Sequence, residues 1–164
     1  MVTFTDNDVV MDWDRLARVT HTAVHLLDNV IDMNQYPISE IADMSRTTRR
    51  IGVGVMGWSD LLVEMGIRYD SQEALDLAEQ VMKYIQEESY KASGNLVDSR
   101  GTFPAWDGSA YNNSSTYRKM RNSAPVTIAP TGTISIIAGA SSGIEPLFAL
   151  SYVRNVMART KLVD

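Results

Sequence analysis

The chain has 164 residues, enough for one domain with a sizeable core, and 45% of them are hydrophobic, which excludes a disordered chain. Its formal net charge of −5 argues against a nonspecific nucleic-acid binder, which is usually basic. It has no cysteine, so disulfides, thiolate metal sites and a cysteine nucleophile are excluded within it.

No apolar run reaches the length of a membrane span, and the first twelve residues lack the basic and apolar regions of a signal peptide. The expectation is a cytoplasmic protein with no membrane and no nucleic-acid partner. Residues 1–11 read as a disordered, frayed lead-in to one segment covering 1–164.

Asp12 suits the N-cap of a first helix, with Asp14 adding charge in its first turn. Trp13, Leu16, Ala23, Leu27, Val30 and Ile31 keep helical spacing to about Met33. His21 and His25 stand four apart and could offer two ligands to one metal, but no zincin glutamate accompanies them, so no metal site is assigned. Pro37 breaks the helix. Ser39 then caps a second helix that ends near Arg49 and Arg50. These arginines read either as charges at a helix end or as contacts to an anionic substrate or another part of a larger protein.

Gly52, Gly54 and Gly57 match G-x-G-x-x-G in form. A dinucleotide fingerprint needs a preceding strand, a helix opening inside it, and an acidic residue ending the next strand. Here β-branched residues separate the glycines, which favours a buried strand with close backbone approach. A short helix follows over 58–65, stopped by Gly66. Asp70, with Glu73 three residues on, reads as a capping box for a long helix to about Asp98. Leu75, Ala78, Val81, Met82, Ile85 and Ala92 form its apolar stripe, and Glu79, Lys83, Glu87, Glu88 and Lys91 its solvated face. Residues 100–120 read as a long polar loop.

The stretch 124–139 reads as a short buried strand, a Pro130-Thr131-Gly132-Thr133 turn and the start of an apolar helix. Unpaired N–H groups at the helix start, together with the hydroxyls of Thr131, Thr133 and Ser135, suit an anionic group such as a phosphate. A strand-to-helix turn with a capping threonine and no ligand accounts for the same residues. The stretch lacks the lysine and Ser/Thr of a Walker A loop. Glu145, held extended before Pro146, reads either as a hydrogen-bonded structural carboxylate or as a site residue. Residues 151–157 suit a strand, with no obvious element closing the chain after it.

Three segments stand out together: Leu27-Asp28-Asn29-Val30-Ile31-Asp32-Met33-Asn34-Gln35-Tyr36-Pro37, then 48–58, and 121–135 continuing through Ser142-Gly143-Ile144-Glu145-Pro146-Leu147-Phe148-Ala149. In this order and spacing they resemble the large, catalytic subunit of ribonucleotide reductase. The Pro-Thr-Gly-Thr-Ile-Ser form at 130–135 is most similar to the class II, adenosylcobalamin-dependent branch.

The resemblance implies an α/β fold: a mainly helical segment that contributes several strands to a ten-stranded α/β barrel. It implies part of a ribonucleoside-diphosphate reductase, which makes deoxyribonucleotides by radical chemistry started by cobalt–carbon homolysis. It also implies that Pro130, Thr131, Gly132, Thr133, Ile134 and Ser135 hold the substrate phosphates. The family's radical cysteine and redox cysteines have no counterpart here, so no catalytic residue is assigned. The chain alone is expected to be inert and to need the remainder of the subunit. Two other readings stay open: a stand-alone nucleotide- or phosphate-binding module, and a helical assembly module that forms homo-oligomers.

Overall fold

A computed structural model describes residues 2–4, 9–113, 119–147, 149, 151, 153–156 and 160–163. The elements in order are strands β1 (Val2–Phe4) and β2 (Val9–Met11), and helices α1 (Trp13–Met33), α2 (Ser39–Thr48), α3 (Trp58–Glu64), α4 (Gln72–Asn95), α5 (Val97–Arg100) and α6 (Gly132–Ala138). Strands β3 (Val153–Val156) and β4 (Thr160–Val163) complete them. The chain is mainly helical, as its periodicity predicts.

Helix α1 starts where Asp12 predicts: its carboxylate accepts from Arg15 N at 2.9 Å. Leu16, Thr20, Val24, Asp28 and Ile31 form the buried stripe, which packs on α4. The main core joins Leu16, Trp58, Leu62, Ala74, Val81 and Ile85. A second, smaller core of Phe103, Trp106 and Met120 lies within the segment expected as a polar loop. Its aromatic rings supply the buried area that anchors a backbone without regular structure. Residues 114–118 of that loop lie outside the described residues.

Several expectations are corrected. Residues 1–11 do not form a frayed lead-in throughout, because β1 and β2 pair antiparallel with Val2 opposite Met11. Ser39 is the first helical residue, not the cap: the N-cap is Ile38, and Ser39 Oγ donates to Glu40 at 3.0 Å. Ser71 takes the capping role expected of Asp70, accepting from Ala74 N at 3.2 Å, while Asp70 pairs with Arg68. Leu75 is 63% exposed and leaves the α4 stripe, whereas Glu88 is buried in it. Strand β3 lies within the expected 151–157, and β4 pairs antiparallel with it as a closing element the sequence did not reveal.

The strands expected at 51–56 and 126–129 are the largest difference. These segments run parallel but form one isolated bridge, Val53 to Val126. Ile51 N donates to Ala124 O at 3.0 Å, and Thr127 N to Val53 O at 3.0 Å. Parallel strands are typically covered on both faces within larger sheets, and two alone gain little. Close approach, the reason inferred for the glycines, is present. A Cβ on Gly52 would meet Thr127 Cγ2 at 2.5 Å, and one on Gly54 would run into Thr127 O.

Candidate functional site

Three chain segments meet on Asp28. The Arg49 backbone is left-handed at φ 47°, which turns its side chain inward from the end of α2. Arg49 Nε and Nη2 donate to Asp28 Oδ1 at 2.9 and 2.8 Å, and Nη1 donates to Asp32 Oδ1 at 2.7 Å. Arg100 Nη1 donates to Asp28 Oδ2 at 2.8 Å. Asn122 Nδ2 donates to Asp28 Oδ1 at 3.0 Å and to Arg49 O at 3.2 Å, and its Oδ1 accepts from Ser93 Oγ at 3.0 Å. Arg121 Nε lies 3.5 Å from Asp28 Oδ1.

Asp28 and Asn122 are wholly buried and Arg49 is 3% exposed. Burial pushes the Asp28 carboxyl up, yet hydrogen bonds from Arg49, Arg100 and Asn122 outweigh it and hold the group below its ordinary value. Asp32 is lowered chiefly by its hydrogen bond from Arg49. Of the two sequence readings of the arginines, Arg49 fits neither a solvated end charge nor a contact outside the chain. The sequence signal that could have found this hub is the α1 spacing from Leu16 through Thr20 and Val24, which lands on Asp28.

From Asn122 the chain runs through the Val126 bridge to the 130–135 loop. Pro130, Gly132, Thr133 and Ile134 are exposed and Thr131 is half-buried. Thr131 sits at φ 52°, in the left-handed region that a β-branched residue rarely adopts. It is the N-cap of α6, but its side chain makes no cap hydrogen bond. Its Oγ1 instead accepts from Gly143 N at 2.7 Å. Ser135 turns inward: it is 1% exposed and its Oγ lies 3.0 Å from Ser142 Oγ. Residues 132–134 therefore face outward, while Ser135 braces the turn by donating its N–H to Thr131 O at 2.9 Å.

The other candidates resolve differently. Gly57 is left-handed at φ 75° and opens α3. Its N–H donates to Ser141 O at 2.8 Å, so it is bonded to a protein carbonyl rather than open to a ligand. His21 Nε2 lies 2.7 Å from Glu88 Oε2, and His25 Nε2 lies 2.9 Å from Arg100 Nη2. Among the described residues there is no group of three or more His, Cys, Asp or Glu able to hold a metal. Lys91 holds the Glu88 carboxyl low, against burial and with help from His21. Glu145 is exposed, and its backbone carbonyl accepts from Ser59 Oγ at 2.9 Å. No helix among the described residues is long and apolar enough to cross a membrane.

The family model described as "Ribonucleotide reductase, barrel domain" matches residues 1–163. A vitamin B12-dependent ribonucleoside-diphosphate reductase of Thermoplasma acidophilum is 51% identical over 154 residues, covering 94% of this chain and 20% of that protein. One of Mycobacterium tuberculosis is 46% identical over 149 residues, covering 91% and 21%. The ribonucleoside-diphosphate reductase subunit alpha of Chlamydia pneumoniae is 32% identical, covering 88% and 17%. The chain spans about a fifth of the length of the first two relatives. Asp28 and Asp32, Arg49, and Arg121 with Asn122 each come from a different one of the three motif segments, and all join one buried hub. By this match along nearly its whole length, the chain belongs to the ribonucleotide reductase family, within its barrel domain.

Proposed function

We propose that this chain is the part of a ribonucleoside-diphosphate reductase that grips the substrate phosphates while carbon chemistry occurs elsewhere on the nucleotide. The observation that carries the reading is the 51% identity, over 94% of the chain, to a vitamin B12-dependent ribonucleoside-diphosphate reductase. Pro130, Thr131, Gly132, Thr133, Ile134 and Ser135 form the phosphate loop. Thr131 and Thr133 supply hydroxyl donors, and Ser135 holds the loop from below. Supporting this, residues 132–134 are exposed and the loop presents no carboxylate.

The parallel segments 51–55 and 124–127 are two of the strands of a ten-stranded α/β barrel, completed by the remainder of the reductase subunit. That remainder supplies the cysteines this chain lacks and acts in the cytoplasm on a ribonucleotide. Adenosylcobalamin supplies the radical to the assembled enzyme. The residues here do not fit that cofactor: both histidines are committed, to Glu88 and Arg100, and no other side chain offers a soft donor beyond the methionines. No step of this chain's chemistry runs through it.

The test is reconstitution. This chain is combined with the rest of a class II subunit, and deoxyribonucleotide formation is followed with and without adenosylcobalamin. Activity that requires both the chain and the cofactor is expected, with the nucleotide KM raised about tenfold by Thr131→Val, the scale of one hydrogen bond to a charged group. Activity without this chain, or a Thr131→Val enzyme with unchanged KM, overturns the reading.

A further inference from the structure

The segment 139–143 crosses directly beneath the phosphate loop and is tied down at each residue from Ser141 to Gly143. Ser141 N donates to Asp60 Oδ2 at 2.6 Å, and Ser141 O accepts from Gly57 N at 2.8 Å. Ser142 Oγ lies 3.0 Å from Ser135 Oγ. Gly143 N donates to Thr131 Oγ1 at 2.7 Å. Gly143 adopts φ 49°, and a Cβ there would meet Glu145 Oε2 at 2.5 Å and Ala129 O at 3.2 Å, so a side chain at this position would be strained.

The consequence falls on one hydrogen atom. A hydroxyl oxygen that accepts from Gly143 must direct its own proton elsewhere. The Thr131 proton is thereby turned away from Gly143 and available to donate, and the same contact holds the strained backbone. Asp60 does not touch Thr131. It lies in the first turn of α3 and holds the strap whose next residues hold the threonine.

We propose that Asp60 is a positioning residue: by pinning the 141–143 strap it orients the Thr131 hydroxyl as a donor to a bound phosphate. This deepens, and rests on, the phosphate-loop reading above. The sign of the effect separates it from simple electrostatics. A carboxylate near an anion site opposes anion binding, so a field effect makes both Asp60→Ala and Asp60→Asn bind phosphate more tightly. A positioning role makes Asp60→Ala weaker and leaves Asp60→Asn, which keeps an acceptor oxygen, close to the parent.

The experiment is calorimetric titration of the 164-residue chain with cytidine diphosphate, in a double-mutant cycle with Thr131→Val. Thr131→Val is expected to weaken binding about tenfold. Asp60→Ala weakens it about fivefold alone and adds nothing in the Thr131→Val background, the signature of coupled sites. Asp60→Asn stays within about twofold of the parent, and Asp60→Ala speeds amide exchange at Gly143. If Asp60→Ala does not fold, Asp60→Glu, which displaces the carboxylate by one methylene, carries the same cycle. Absent binding, or binding indifferent to Thr131→Val, overturns the phosphate reading and the role of the strap with it. Thr131→Val weakening beside a neutral or additive Asp60 variant overturns the positioning role alone.

Discussion

Replacing Asp28 by alanine would leave the Arg49, Arg100 and Arg121 guanidiniums facing a site from which their shared carboxylate has gone. Removing one partner of a buried ion pair costs about 3–5 kcal/mol, and urea unfolding of Asp28→Ala should show a loss of that size. The exposed Arg68–Asp70 pair is the contrast, where Asp70→Ala should change stability by less than ~1 kcal/mol. The hub also sets a pH dependence. Asp28, Asp32 and Glu88 have folded-state values below their ordinary ones. Their contribution is therefore fully present above the unfolded values, about 3.9 for Asp and 4.3 for Glu, and is lost as pH falls through the depressed folded values. Unfolding curves between neutral pH and pH 3 should show stability falling only at the acid end, and Asp28→Asn should flatten that fall. Such residues were half-legible in the sequence. The stripe read from spacing ran through Ala23, Leu27 and Val30 and left Asp28 out, whereas the buried face runs through Thr20, Val24 and Asp28. Nothing local says that Arg49 turns inward, because that depends on its left-handed φ and on partners 17 and 21 positions away.

Helix existence was the most legible level and helix ends the least. The start of α1 follows from Asp12, whereas α4 is capped by Ser71 although Asp70-x-x-Glu73 matches the capping-box pattern. Two adjacent cap-competent residues differ only in which one the preceding turn leaves extended; Ser71 has φ −102° and ψ 158°. Ser71→Ala should cost about 1 kcal/mol in thermal or urea unfolding, the usual worth of such a cap. The 51–55 and 124–127 segments show the opposite failing. Their β-branched residues announce strands, but among the described residues the two segments join through one parallel bridge, Val53 to Val126. Gly54→Ala forces a Cβ into Thr127 O. It should destabilise by roughly 1–3 kcal/mol, and exchange of the Thr127 amide should accelerate.

At the scale of the molecule, the outward side of α1 and α2 exposes Leu26, Val30, Met33, Ile38, Ile41 and Met44. An apolar groove of about 320 Å³ opens beside Val53 and Met56 on α1. The chain spans roughly a fifth of its relatives' length, and on the function proposed above these surfaces face the rest of the barrel. In isolation these surfaces should drive self-association, visible as concentration-dependent sedimentation and suppressed by Leu26→Glu with Met33→Lys. A strictly monomeric parent chain at high concentration would count against that assignment. The 130–135 loop, which we propose grips the substrate phosphates, stood out as a motif because its residues are consecutive. The strap beneath it did not, since Asp60 and Ser141 are separated by 81 positions and carry no pattern that links them.

Each apolar cluster buries a tryptophan, Trp58 in the larger, against which Trp13 also packs, and Trp106 in the smaller, where the indole N–H donates to Asn112 at 3.0 Å. Met120 of the smaller cluster is joined through Arg121 to Asn122, and Ser93 of α4 binds Asn122 from the other side. The polar hub is thus one link between the two hydrophobic masses, beside helix α4, whose Ile85 lies in one and whose Tyr90 packs on the other. Fluorescence from the two indoles, read in single-tryptophan chains, becomes a gauge of that coupling. The signals should vanish at one denaturant concentration while Asp28 is intact, and part company once it is gone.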